Sequence, residues 1–280
     1  MTAILGGLVA AFGWGTATLV SSRTTRMIGS QQALAWVMVT GLVITIVAAP
    51  VAEGLPSPGT DGALWAVASG LCSVLGLSMM YRALRIGKVG VVAPIGATEG
   101  AFAAVIAVVL LDEHLTRGVA VGLLVITAGI VLVTFHGRLA DLHVRPSVYA
   151  LVAATIFGFG LVASSRAGEA VGPLWTILVA RLVGCLLIAL PLLVRGRLRI
   201  PPRLPLGLAV YSGIGEVVGF VGYIAGSQSS IAVCAVIASQ YAAVAAIGSY
   251  LVFGERLNRL QMIGGVVLMA GIAAVAALQA

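Results

Sequence analysis

Sliding residues 81–135 forward by 142 positions lays them, without a gap, on residues 223–277, and 17 of the 55 aligned positions are identical. The matches include Tyr81/Tyr223, Ala83/Ala225, Ala93/Ala235, Glu113/Glu255, Leu115/Leu257, Arg117/Arg259, Gly122/Gly264 and Gly129/Gly271. Shared apolar composition gives scattered Ala and Val matches; it does not align a Glu-x-Leu-x-Arg corner with two glycines seven residues apart. Phe12-Gly13-Trp14-Gly15 recurs as Phe157-Gly158-Phe159-Gly160 at an offset of 145, and Ser21-Ser22-Arg23 as Ser164-Ser165-Arg166 at 143. The chain is therefore an internal duplication, with a first repeat over 1–140 and a second over 146–280.

A fold built twice from such segments has to hide very little polar surface. The chain is 60% hydrophobic and 9% charged, with a mean hydropathy of +1.14, more apolar than one soluble core of 280 residues accommodates. A bilayer is the expected partner. A spanning helix needs about 20 apolar residues, and ten fit: about 2–20, 31–51, 62–81, 89–111 and 118–136, then about 147–165, 173–194, 205–226, 229–253 and 260–278. Pro50, Pro56, Pro58, Pro146, Pro173, Pro201, Pro202 and Pro205 punctuate the breaks. The expected fold class is an all-α integral membrane protein of ten transmembrane helices. The first apolar run lacks a basic leader and its aromatic motif recurs mid-chain, so it is read as a permanent helix.

Five spans per repeat is an odd number, so the second copy enters the membrane opposite to the first. Inverted repeats of this kind are a transporter architecture with the solute site near the midplane. Thirteen Lys and Arg fall on one side (Arg23, Arg26, Arg82, Arg85, Lys88, Arg138, Arg145, Arg195, Arg197, Arg199, Arg203, Arg256, Arg259), against Arg117 and Arg166 on the other. The positive-inside rule then places both termini outside a cytoplasmic (inner) membrane. The net charge of +7 is spread over short connections, which marks orientation and not a nucleic-acid footprint.

Charge inside the spans is the clearest functional signal. Glu99 and Glu216 fall within a residue of the centres of the fourth and eighth expected helices, and Arg181 lies about 4.5 Å along the axis from the centre of the seventh. An ionisable group at that depth costs about 2.5–3.5 kcal/mol on insertion scales, so three near one level call for partners or a water-filled cavity. Either they line a transport pathway or Arg181 ties two helices through one acid. With one base for two acids, one carboxyl has no basic partner in the membrane and can load and release a proton, making protons a candidate partner. Trp14, Tyr223, Gln240 and Tyr241 lie at comparable depth, where they can supply an aromatic wall and hydrogen bonds to a small solute. Glycines beside the acids (Gly96, Gly100, Gly215, Gly219, Gly222, Gly226) are read first as close helix packing. Trp36, Trp65 and Trp175 are read as interfacial anchors.

No metal, cofactor or catalytic signature accompanies these residues. His114, His136 and His143 lack ligand spacing, and Cys72, Cys185 and Cys234 lie singly in apolar runs. The chain carries no phosphate loop or nucleophile elbow, so no enzyme activity is expected. A lipid-handling membrane enzyme would need its polar cluster at the interface, and here it is central; a channel is separated from a carrier by saturable, countertransport-stimulated flux.

Leu111-Asp112-Glu113-His114-Leu115-Thr116 and Phe253-Gly254-Glu255-Arg256-Leu257-Asn258 each close one apolar helix and open the next, with a carboxylate at the corner and a polar capping residue after it. This Leu-Gly-Glu-Arg-Leu type of corner, found twice and followed by Gly-x6-Gly, resembles the drug/metabolite transporter superfamily, and within it the ten-helix EamA-type members. Asp112 and His114 replace the usual Gly and Arg of the first corner. Glu99-Gly100 and Tyr241-Ala242 stand where the family commonly has Glu-Pro. The related four-helix multidrug transporters carry a first-helix glutamate that would fall near Phe12, and no carboxylate occurs there. The resemblance implies a secondary transporter exporting small metabolites such as amino acids by alternating access, with drug or organic-cation efflux as the alternative. Glu113 and Glu255 are then structural corner residues. Two repeats supply both orientations, so a monomer is expected.

Overall fold

The computed structural model describes residues 2–56, 59–100, 144–229, 237–255 and 258–277, with Cys234 and a few single positions between 102 and 132. The described residues form α1 (Thr2–Ile28), α2 (Ser30–Glu53), α3 (Thr60–Ile86), α4 (Val89–Gly96), α5 (Val144–Val171), α6 (Pro173–Val194), α7 (Arg203–Ser227), α8 (Tyr241–Phe253) and α9 (Arg259–Ala277). Among them, α1, α2, α3, α5, α6 and α7 run 22 to 28 residues and are apolar enough to cross a membrane. At 1.5 Å per residue, 27 residues reach about 40 Å, which carries their polar ends into the headgroup layer. Within α6, Cys185–Ala189 is a π-helical turn. Pro191 follows it, and a residue without an N–H in the helix interior removes one rung of the ladder.

Three helices, α1, α3 and α5, run five to eight residues beyond their expected ends. α1 continues through the polar run Ser21–Arg26 because Ser21, Ser22, Thr24 and Thr25 are buried against the rest of the bundle and not in a loop. Ser21 donates to the Tyr81 hydroxyl at 2.7 Å, and Thr24 and Thr25 donate back to the Val20 and Ser22 carbonyls. The first-copy corner with Glu113, most of the expected fifth helix, the connector through His136 and His143, and residues 230–233 lie outside the described residues.

Packing is reciprocal between the repeats. The most extensive pairs are α1 with α7 and α3 with α5, so the first helix of each repeat lies along the third helix of the other; α2 meets α6, and α4 meets α8. Small residues make the approach of α1 and α7 possible. A Cβ on Gly13 would stand 2.8 Å from the Gly215 carbonyl, and one on Gly215 would stand 2.9 Å from the Gly13 carbonyl, so the two backbones touch directly. Trp14 of α1 covers Gly219 of α7, while Phe157 of α5 covers Gly76 of α3. Those two contacts exchange under a shift of 143, the offset of the serine pairs. The turns follow the duplication too: Gly29 and Gly172, 143 apart at φ 85° and 91°, precede α2 and α6, and Gly54 and Gly196, 142 apart at 69° and 62°, follow them.

The second-copy corner gathers several helix ends. Gly254, at φ 63°, ends α8 in the left-handed region, with its N–H on the Tyr250 carbonyl. Glu255 then turns back to accept from the Val89 N–H at 2.9 Å, at the start of α4, and pairs with Arg26 at 3.2 Å. Arg26 also donates to the Gly87 carbonyl at 2.7 Å. At the far end, both Glu53 carboxylate oxygens accept from the first turn of α6, at Leu174 and Trp175.

Candidate functional site

Neither the fourth nor the ninth expected helix is continuous. α4 stops at Gly96, Ala97–Thr98 form a turn, and helix resumes at Glu99. Ser239–Gln240 form the corresponding turn before Tyr241 and α8. The two breaks share a bond 142 residues apart: Thr98 N–H to the Ile95 carbonyl at 3.2 Å and Gln240 N–H to the Ile237 carbonyl at 3.1 Å. Thr98 also turns its hydroxyl onto Ile95, at 2.7 Å. These i to i−3 bonds tighten the chain and leave one residue at the mouth of each following segment. That residue is Glu99 in the first repeat and Tyr241 in the second.

Both face one cavity in the middle of the bundle. Trp14 and Thr18 of α1, Ser69, Ser73, Leu77 and Met80 of α3, Phe157, Gly160 and Leu161 of α5, and Glu216 and Phe220 of α7 complete its lining. Each repeat thus contributes its first and third helices and the residue after its break. The wall is aromatic and apolar with a few polar groups, the usual make-up of a ligand pocket.

The three membrane charges converge here. Arg181 on α6 is fully buried and reaches Glu216 of α7, Nη2 to Oε2 at 3.5 Å. Its stem crosses α2 at Gly41, where a Cβ would sit 2.8 Å from Arg181 Cδ; its Nη1 faces Met38 Sδ at 3.6 Å, and its guanidinium carbon lies 5.5 Å from the Phe220 ring centre. Glu99 and Glu216 are each 7% exposed, and of these two only Glu216 has a basic side chain within ion-pair distance among the described residues.

Trp14 is the centre of an aromatic cluster. Phe220 meets it edge-on with centroids 5.2 Å apart, Tyr223 lies tilted at 5.7 Å, and Tyr241 is edge-on at 6.3 Å. Such geometries favour aromatic pairs by about 0.5–1.5 kcal/mol beyond burial. The Trp14 indole N–H is buried without an acceptor among the described residues.

Of the residues singled out in the sequence, Glu99, Glu216, Trp14 and Tyr241 line the cavity, Arg181 stands behind Glu216, and Tyr223 backs Trp14. Gln240 is half-buried in the second break, outside the lining. Glu255 sits at the bundle end, and Glu113 lies outside the described residues. Sequence reading missed Thr18, Ser69, Ser73, Met80, Phe157 and Phe220. The duplication held a usable signal for Phe157, since a shift of 143 makes it the counterpart of Trp14. Ser69 and Ser73, four apart on α3, carried the pattern of one helix face. Among the described residues, no group of three His, Cys, Asp or Glu could hold a metal ion.

A solved crystal structure bearing no more specific description than "protein" superposes with a TM-score of 0.72 at 20% identity, covering 100% of this chain and 99% of that one, which establishes a shared fold. No curated protein matches the sequence. The family model of the EamA-like transporters matches residues 1–135 and again residues 145–277, meeting each repeat once and together spanning nearly all of the sequence. This multi-pass membrane chain, duplicated and closed around a mid-bundle cavity, belongs to the EamA-like transporter family.

Proposed function

We propose that this chain is a secondary active transporter that exports small metabolites such as amino acids by alternating access, with protons as the coupling ion. The observation that carries the reading is the cavity walled by the first and third helices of both repeats, with Glu99, Glu216 and the Arg181 beside it at its charged face. A hydrophilic solute needs such groups only where it leaves water, and buried charge in a membrane span marks that place. The reciprocal pairing of α1 with α7 and α3 with α5 supports ten helices in two inverted repeats, 1–140 and 146–280, that rock against each other around the site. The charge bias supports both termini outside, and one chain supplies the whole pathway as a monomer.

The test is untargeted metabolite profiling of medium and cytosol from cells overproducing the wild type, beside Glu216→Gln at matched membrane levels. A compound that accumulates outside only with the wild type supplies the solute and a site residue. Identical profiles in both strains and in empty vector would remove metabolite export. Proton coupling has its own check: transport that stays independent of the pH gradient in wild type, Glu99→Gln and Glu216→Gln alike eliminates it.

Organic-cation efflux is the second reading, favoured by Glu99 facing the same cavity as the Trp14 and Tyr241 rings. A carboxylate beside an aromatic wall suits a flat cation. Resistance to lipophilic cations conferred by the wild type and lost in Glu99→Gln would select it over metabolite export.

A further inference from the structure

Arg181 has more donors than the described residues give it acceptors. A guanidinium carries five N–H groups, and this one is fully buried. Among the described residues, its Nε and Nη2 find no hydrogen-bond partner. Its other polar contacts are a thioether at 3.6 Å and the Glu216 carboxylate at 3.5 Å, close enough for attraction and too long for a good charged hydrogen bond. A buried cation left this way is costly unless something else reaches it. A narrow second pocket lies against Arg181 and is lined by Ser69, Thr176, Ile177, Ala180 and Phe220. Ser69 and Phe220 also line the main cavity, so the two are neighbours across one wall.

From this geometry we infer that Arg181, with Ser69 and Phe220, forms a subsite for a compact monovalent anionic group. The planar guanidinium fork matches a carboxylate, and an inorganic halide would meet the same donors. The subsite rests on the reading of the main cavity as the solute site, and it names the chemistry of one end of that solute. Glu216 is the occupant in the absence of ligand. An arriving anion competes with it for Nη2 and displaces Glu216 from Arg181. The other titratable groups interacting electrostatically with Glu216 are Tyr81 on α3, Glu99 after α4 and Tyr241 at the start of α8. None of them is basic, so among the described residues Arg181 is the single cation in this competition.

The experiment is thermal unfolding of the purified full-length protein in detergent, titrated with sodium acetate or sodium chloride at ionic strength held constant with the bulky anion isethionate. Acetate is expected to raise the wild-type midpoint saturably, and Glu216→Gln, which removes the competitor, to lower the half-saturating concentration about tenfold. Arg181→Met is expected to lose the response. If only chloride acts, the subsite takes an inorganic ion; if acetate acts and chloride competes poorly, it takes the carboxylate of a solute. Midpoints equal in acetate, chloride and isethionate for both wild type and Glu216→Gln overturn the inference, even if Arg181→Met does not fold. A full acetate response in a folded Arg181→Met also overturns it. Binding is read without transport, so metabolite export with no anion effect removes this subsite alone, and an anion effect without any transported solute removes the exporter reading alone.

Discussion

The break after α4 and the break before α8 have the same backbone and different chemistry. Thr98 and Gln240 make the same bond three residues back, 142 positions apart, yet the next residue is Glu99 in one repeat and Tyr241 in the other. Around them, Trp14 over Gly219 and Phe157 over Gly76 repeat the same contact with different rings. Duplication has kept the frame that positions a side chain at the cavity, and the side chains placed there have diverged. The cavity therefore has two unlike walls at its breaks, a carboxyl at one and a phenol ring at the other, on a scaffold that is nearly symmetric.

The sharpest way to break this comparison is to remove the unlike element. Glu99→Gln keeps the shape and deletes the charge; charged hydrogen bonds contribute about 1.5–3 kcal/mol, so uptake of the identified solute into inverted vesicles is expected to fall roughly 10- to 150-fold. Tyr241→Phe keeps the ring and deletes a neutral hydroxyl, with an expected loss of roughly 2- to 10-fold. Equal losses for the two variants would mean that the second wall is as polar in function as the first.

Next in size are the shared contacts, which should respond alike in both repeats. Gly219→Ala places a Cβ against the Trp14 indole, and Gly76→Ala places one against the Phe157 ring, so each overpacks a tight crossing and costs about 1–3 kcal/mol. Gly207→Ala, on α7 with open space around it, is expected to leave stability unchanged or raise it. Thermal retention of the monodisperse peak in detergent reads all three. A large difference between Gly219→Ala and Gly76→Ala would show that the reciprocity of the backbone does not extend to its energetics.

Frame and site were not equally legible in the sequence. The duplication, the helix punctuation and the depth of Glu99, Arg181 and Glu216 could be read directly, because glycine, proline and membrane charge each carry a strong physical penalty where they do not belong. The two breaks could not. Pro94 lies near the first, nothing comparable lies near the second, and Thr98 and Gln240 are ordinary residues in an unbroken apolar run. Depth alone also left open which acid Arg181 meets. Glu99 and Glu216 share a level, and only the rotation of each helix, set by the glycine-mediated seating of α7 on α1, turns Glu216 toward α6. Ser69 and Ser73 shared a helix face by spacing, but that did not assign them to a cavity, because a serine within a spanning helix can bond its own preceding turn.

The smallest effect is expected at the corner. Glu255 joins the start of α4 to Arg26 at the end of α1, and because Arg26 is 40% exposed the ion pair contributes only about 0.2–1 kcal/mol. The carboxylate at the helix start adds about 0.3–1 kcal/mol. Glu255→Gln retains an acceptor for Val89 and should lower stability by about 1 kcal/mol or less, partly recovered by high salt in the wild type's disfavour. The repeat supplies the contrast. A shift of 143 turns Arg26 into Glu169, an acid, so the sequence offers the first-copy Glu113 no counterpart of Arg26. Glu113→Gln is accordingly expected to cost less than Glu255→Gln in the same thermal assay. A cost at Glu113 equal to or above that at Glu255 would mean that the two corners are stabilised in different ways, and that the near-symmetry of the frame ends before the loops.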